Sequence, residues 1–206
     1  MNLNLRIHSL TAAFVAVCTM LTTGCGTSRA GYESAPYQVV STDEKFEVRN
    51  YPAITVVETP MTVGSNSSDG SFGRLFRYIS GGNDAKQKIA MTTPVFMSGG
   101  ETSTTMSFVM PAKMRSGEVP KPSDGAVKVR ELQAGCFATL RFSGSRNAKT
   151  EGGALAQLRA KMKESGLKES GPPVYAYFDP PWIPVSMRRN EVMLRIEVPA
   201  QKTSGS

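Results

Sequence analysis

The order of elements limits this chain more than any other feature: strand, strand, helix, strand, strand, written twice. Phe46 and Val48 alternate with Glu47 and Arg49, Tyr51-Pro52 breaks the run, and Ala53-Ile54-Thr55-Val56-Val57 resumes it, the period-two pattern of strands. Phe72, Leu75, Phe76 and Ile79 then stand at i, i+3, i+4 and i+7, one apolar stripe on about two turns of helix. Ser71 is placed to cap that helix. Ser80-Gly81-Gly82-Asn83-Asp84 stops it, because glycine takes the left-handed conformation a helix end needs. Ile89 to Met97 is extended and apolar, and Pro94 within it points to an edge or irregular strand. Thr104 to Pro111 reads as a further strand with Met106, Phe108 and Met110 on one face.

After a proline- and glycine-rich connection from Pro111 to Gly125, the pattern starts again. Val127 to Leu132 echoes Phe46 to Tyr51, and Phe137 to Phe142 echoes Ile54 to Thr59. A second helix is expected over Gly153 to Ser165, with Leu155, Leu158 and Met162 inward, Gly166 just past its end and Leu167 making the contact after such a cap. Val174 to Phe178 and Glu191 to Val198 are the closing strands. Two such halves, each too small to bury its own sheet, predict one α+β body of curved antiparallel sheets with two flanking helices.

The 206 residues, 40% hydrophobic and 20% charged, suit one soluble globular domain. Residues 1–24 read as a signal peptide: Arg6 supplies a positive start, and Leu10 to Leu21 is apolar but too short to span a membrane. Leu21-Thr22-Thr23-Gly24-Cys25 resembles a bacterial lipoprotein signal, which implies lipidation of Cys25 and a place in the cell envelope, on the periplasmic face of a membrane in a Gram-negative cell. The alternative is ordinary secretory cleavage nearby. Residues 25–36 are small and polar, as a flexible tether should be, and residues 199–206 read as a disordered tail. Of the three cysteines, only Cys136 then lies in the domain, so no internal disulfide is available. It shares a strand face with Ala138, Leu140 and Phe142, the pattern of a buried inert thiol.

The net charge is +7, but the basic residues are scattered, without the basic stripe and aromatic platforms that nucleic acid requires. Catalysis has little to work with. The single histidine is His8, inside the signal, which removes histidine triads, histidine metal sites and the usual general base. No cysteine pair can hold zinc. Asp43, Glu44 and Glu47 occupy polar positions that read as solvated surface. Proton transfer by one glutamate and one tyrosine in a cleft is the enzymatic reading left. Binding has more. Methionines spread over both halves suit core packing or adaptable surfaces, and the sole tryptophan, Trp182, sits in the proline-stiffened loop Asp179-Pro180-Pro181-Trp182-Ile183-Pro184. A large ring on a rigid loop is either lid-like packing or a ligand wall.

Four motifs taken together, Leu75-Phe76-Arg77-Tyr78-Ile79-Ser80-Gly81-Gly82-Asn83, Ile89-Ala90-Met91-Thr92-Thr93-Pro94-Val95, Tyr177-Phe178-Asp179-Pro180-Pro181 and Arg188-Arg189-Asn190-Glu191-Val192, resemble the SOUL haem-binding family. The resemblance spans residues 37–198. It implies a distorted barrel-like α+β fold of two pseudo-repeats and non-catalytic tetrapyrrole binding in an apolar groove between the first helix and the Trp182 loop. Carried over by position, the ligand-binding residues are Phe72, Leu75, Phe76, Arg77, Ile79 and Trp182, with Arg77 meeting the propionates. Some members carry a lysine where Ile183 stands, which leaves a thinner charge clamp here. Without histidine, haem would be ligated by Tyr78, a methionine or water, or held by apolar contact alone. Arg188-Arg189-Asn190-Glu191 is expected to brace the loop through internal charge-assisted bonds. Two other readings stand beside this one: an envelope scaffold domain whose groove takes a peptide segment, and a hydrolase or isomerase using a cleft carboxylate.

Overall fold

A computed structural model describes residues 31–62, 69–99, 104–114 and 119–197. The expected signal, Cys25, the tether as far as Ala30 and the C-terminal tail lie outside these residues. Among the described residues no helix is long and apolar enough to cross a membrane.

Two long bent strands frame the molecule. The first is β3 (Phe46–Tyr51) followed by β4 (Ile54–Met61), and the second is β8 (Lys128–Leu132) followed by β9 (Gly135–Phe142). Pro52, which has no N–H to give a ladder, accounts for the first break. The two run antiparallel and keep one register across both breaks, with Tyr51 facing Gly135 and Ile54 facing Leu132. Between them lie β6 (Val95–Gly99), β7 (Thr104–Val109), β10 (Val174–Tyr177) and β11 (Asn190–Arg195). With the edge strand β2 (Gln38–Asp43), the nine-stranded order is β2-β3-β9-β11-β10-β6-β7-β4-β8, antiparallel throughout. The sheet curves but stays open, ending at β2 and β8. Charged Lys128, Arg130 and Glu131 protect the second edge, and a bulge at Val39/Ser41 bends the first.

The doubled pattern is a real symmetry. Exchanging β3 with β8, β4 with β9, β6 with β10 and β7 with β11 reads the order from β3 to β8 backwards. A pseudo-twofold axis therefore passes through the central β6–β10 pair. Each half lends its first strand to the other half's edge, which is why neither half could bury its sheet alone.

The helices α1 (Ser71–Ile79) and α2 (Ala148–Glu164) lie on the same sheet face, α1 over β4 and β7, α2 over β9 and β11. Alternation along each strand separates the faces. Met106 and Phe108 point to α1 and Val109 points away; Val192 and Leu194 point to α2 and Met193 points away. The opposite face carries a smaller core of Ile54, Val56, Phe96, Ala176 and Phe178.

Two local expectations are corrected and a third is narrowed. Ser71 does not cap α1; it is the first helical residue and is buried, while Gly70 (φ 79) precedes it. The Asp69 carboxylate takes the Ser71 and Thr62 amides instead, at 3.1 and 2.6 Å. Of the two readings of Pro94 the edge fails and the irregular strand holds: the extended run is interrupted at Pro94, between the short strand β5 (Thr92–Thr93) and interior β6, and the Thr93–Pro94 bond is cis. β5 pairs in parallel with β1 (Glu33–Ser34), apart from the main sheet. Helix α2 begins at Ala148, five positions before the expected Gly153, because the Asn147 side chain accepts the Thr150 amide at 2.9 Å and carries the helix through Gly152-Gly153. Its far end is as expected, with Gly166 at φ 66, the Leu167 amide bonded to the Met162 carbonyl and Leu167 packed on the α2 core.

Candidate functional site

Helix α1 divides the expected stripe. Leu75 and Ile79 are buried in the core with Tyr78, whereas Phe72 and Phe76 remain 42% and 52% exposed. At 100° per residue, Phe76 lies about 160° round the helix from Tyr78, so a helix rotated to bury Tyr78 must lift Phe76. The rotation is held by the Tyr78 hydroxyl, which donates to the Pro120 carbonyl at 2.8 Å. That bond and burial exclude Tyr78 as an iron ligand in this conformation. Burial, with the Asp84 charge adding to it, pushes the Tyr78 hydroxyl up to about 12. Phe72 and Phe76 stack nearly parallel with centroids 6.1 Å apart, and Phe72 meets Phe108 of β7 edge-on at 5.3 Å. Arg77 extends into solvent, 71% exposed, 3.9 Å from Asp124.

The Trp182 loop leaves the sheet after Tyr177, which stands in one cross-strand row with Val95 and Phe108. Its root is thus two strand spacings, roughly 10 Å, from the residue that supports Phe72. Trp182 is 74% exposed, with Val185 and Met187 also open to solvent. Arg188 holds the loop's shape by donating to the Ile183 and Pro181 carbonyls at 2.9 and 2.5 Å, and the Arg189 amide bonds Asp179 at 2.6 Å. Bracing by this motif is as the sequence implied.

What the sequence reading missed is the anchor beneath. Arg189 and Arg49 both grip Glu191, whose side chain is fully buried: Arg49 through Nη1 and Nη2 at 2.6 and 3.0 Å, Arg189 through Nε and Nη2 at 2.9 and 2.6 Å. Arg49 also bonds Glu47 at 2.7 Å, so Glu47 is an ion-pair member where solvated surface was expected. Burial would raise the Glu191 carboxyl, but the hydrogen bonds and charges of Arg49 and Arg189 hold it below the usual carboxylate range. The alternation around Arg49 was the available signal, and it read as outward-facing because the second covered face was not visible.

Two clefts lie on the pseudo-twofold axis, one on each side of β6 and β10. The helix-side cleft, about 280 Å³, includes Met61, Met97, Arg146, Glu151, Tyr175 and Tyr177. Here the Tyr177 hydroxyl donates to Glu151, and Arg146 lies 3.5 Å from the same carboxylate. Burial, then the Glu151 carboxylate, push the Tyr177 hydroxyl well above the usual tyrosine range. The glutamate–tyrosine pairing considered for proton transfer therefore exists, with its members engaged with each other. The second cleft, about 220 Å³, opens on the opposite face. Neither takes lining from Phe72, Phe76 or Trp182. Among the described residues no group of three His, Cys, Asp or Glu side chains is placed to hold a metal.

The family model described as SOUL heme-binding protein matches residues 32–195. The chain belongs to the SOUL family. Heme-binding protein 1 of Sus scrofa is 25% identical over 178 residues, covering 79% of this chain and 92% of that protein. Among solved structures, the EcmrR C-terminal domain superposes with a TM-score of 0.55 at 14% identity, covering 78% of this chain and 98% of that one. A structure described as a hydrolase from Listeria innocua gives 0.54 at 9% identity, covering 77% and 94%. At such identities these two likenesses concern the fold alone. The SOUL match agrees with the α+β architecture of two pseudo-repeats, which the open sheet and its axis display directly.

Proposed function

We propose that this SOUL protein binds haem, or a related flat apolar tetrapyrrole, against the exposed Phe72–Phe76 face of α1 and the Trp182 loop, without catalysis. The observations that carry the reading are the stacked phenylalanine pair left in solvent and a braced loop, rooted two strands from Phe108, that exposes the only tryptophan. Exposed large rings on rigid supports favour a planar apolar partner. Leu75 and Ile79 act from below, by fixing the helix, and Arg77 offers a cation to propionates beside the stack. Iron coordination contributes little, since the domain has no histidine; the exposed thioether on this loop is Met187. The haem-binding name of the porcine relative supports the ligand class. We propose in addition that Cys25 carries lipid and tethers the domain in the cell envelope, on the strength of the signal-like residues before it.

Haemin and metal-free protoporphyrin titrations followed by Trp182 fluorescence test the ligand. Saturable quenching by both is expected, and quenching by neither overturns the reading. Phe76→Asp should abolish it; a co-purifying envelope protein that survives this change, with no porphyrin bound, would favour a peptide segment as the occupant.

A further inference from the structure

The cleft on the face away from the helices has a chemistry the haem reading does not use. It opens where the two bent strands break, beside Pro52 and Gln133, and its wall is built from Tyr51, Ile54, Phe96, Phe137, Val174 and Met193. Arg195 is the one residue of its lining with a full formal charge at neutral pH. The guanidinium donates to the carbonyls of Ala134 and Gln133 at 3.0 and 2.7 Å and sits 5.0 Å from the Phe137 ring centre. No carboxylate pairs with it among the described residues. The bare Cα of Gly135 makes its place: a Cβ there would fall 2.2 Å from Arg195 Nη1. A cation held by neutral groups at an apolar cavity retains its attraction for an anion.

We propose that this cavity is a second binding site, for a small carboxylate with an apolar body, whose carboxylate meets Arg195 while its ring or short alkyl chain enters the cavity. Size sets the class. A cavity of about 150 Å³ takes one benzene, so about 220 Å³ admits one substituted ring or a short chain, and a tetrapyrrole is excluded. The site is separate from the proposed haem surface, and its test is independent of it.

The probe is para-trifluoromethylbenzoate, observed by fluorine NMR on the full protein, with para-trifluoromethylbenzyl alcohol as a neutral match. The carboxylate should bind saturably and at least about tenfold more tightly than the alcohol, as a charge-assisted bond to arginine implies. Arg195→Gln should erase the preference while the alcohol still binds, which also reports an intact cavity. Gly135→Ala, which displaces the guanidinium, should do the same and serves if Arg195→Gln fails to fold. Val174→Phe should remove both ligands. Equal binding of the two probes, binding of neither, a preference that survives loss of the guanidinium, or displacement of the benzoate by haemin would each overturn the proposal.

Discussion

Arg49 and Glu191 lie 142 positions apart and meet in a two-pronged ion pair with N–O distances of 2.6 and 3.0 Å. Their side chains are 1% and 0% exposed. Arg49 comes from the long strand of the first half and Glu191 from the last strand, so the pair ties the halves together beneath the Trp182 loop. Arg189, on the same carboxylate, carries that rigidity into the loop.

Removing one member should be costly. Arg49→Met or Glu191→Gln is expected to lower unfolding free energy by about 3–5 kcal/mol, because the buried network is left with a charge that its remaining members no longer balance. The triple replacement Arg49→Met, Arg189→Met and Glu191→Leu should recover most of the loss. Urea unfolding of the three variants checks this; a loss below about 1 kcal/mol in Arg49→Met would show that the pair is not sealed from water.

Acid should loosen the start of α1. Asp69 is held at about 2 although burial acts to raise it, because the Thr62 and Ser71 bonds and the Arg74 charge outweigh that effect. A carboxyl depressed in the folded state stabilises above its unfolded value, about 4, and loses that contribution as pH falls through the folded one. Asp69→Asn, which keeps an acceptor but loses the charge, should therefore cost about 0.3–1 kcal/mol at neutral pH, with the gap to wild type closing between about pH 4 and 2. Parallel unfolding curves across that range measure it.

Ligand affinity should follow the exposed rings more than the metal. Phe72→Ala with Phe76→Ala is expected to weaken haemin about tenfold or more, and to cost about 1–2 kcal/mol of stability through the lost Phe72–Phe76 and Phe72–Phe108 contacts, since aromatic contacts are worth about 1 kcal/mol each. Haemin and protoporphyrin should differ by less than about threefold, because no histidine ligates iron. A sharp low-spin haem spectrum lost in Met187→Ala would instead establish thioether ligation.

The turn after α1 should resist enlargement. A Cβ on Gly82 would come within 2.8 Å of the Arg77 carbonyl oxygen, a backbone atom fixed by the helix, and the Gly82 amide already bonds that oxygen at 2.9 Å. Gly82→Ala is expected to cost about 1–3 kcal/mol and to move Phe76 with the helix. Calorimetry and the porphyrin titration on the same variant read both effects.

Much of this was legible locally. Met106, Phe108 and Met110 share a face, Cys136 shares one with Ala138 and Leu140, and Gly166 ends α2 with Leu167 packed behind it. Each is fixed by neighbours within a few positions, which alternation and capping chemistry can report. The rotation of α1 and the pairing of Arg49 were not legible in this way. Leu75 and Ile79 were read onto the same ligand-facing stripe as Phe76 because spacing alone does not give the helix rotation, which depends on Tyr78 reaching Pro120. Arg49 looked solvent-facing because nothing near it in sequence names Glu191 as its partner.

The sequence by itself determined the element types, their doubled order and the family to which the chain belongs, since these follow from short-range periodicity and from motifs read in line. Only the tertiary structure decided which apolar residues stay in solvent, where the buried charges pair, and that two clefts share one axis. Those outcomes depend on contacts between residues far apart in the chain, and a strand break or a quarter-turn of a helix moves them without altering the local pattern.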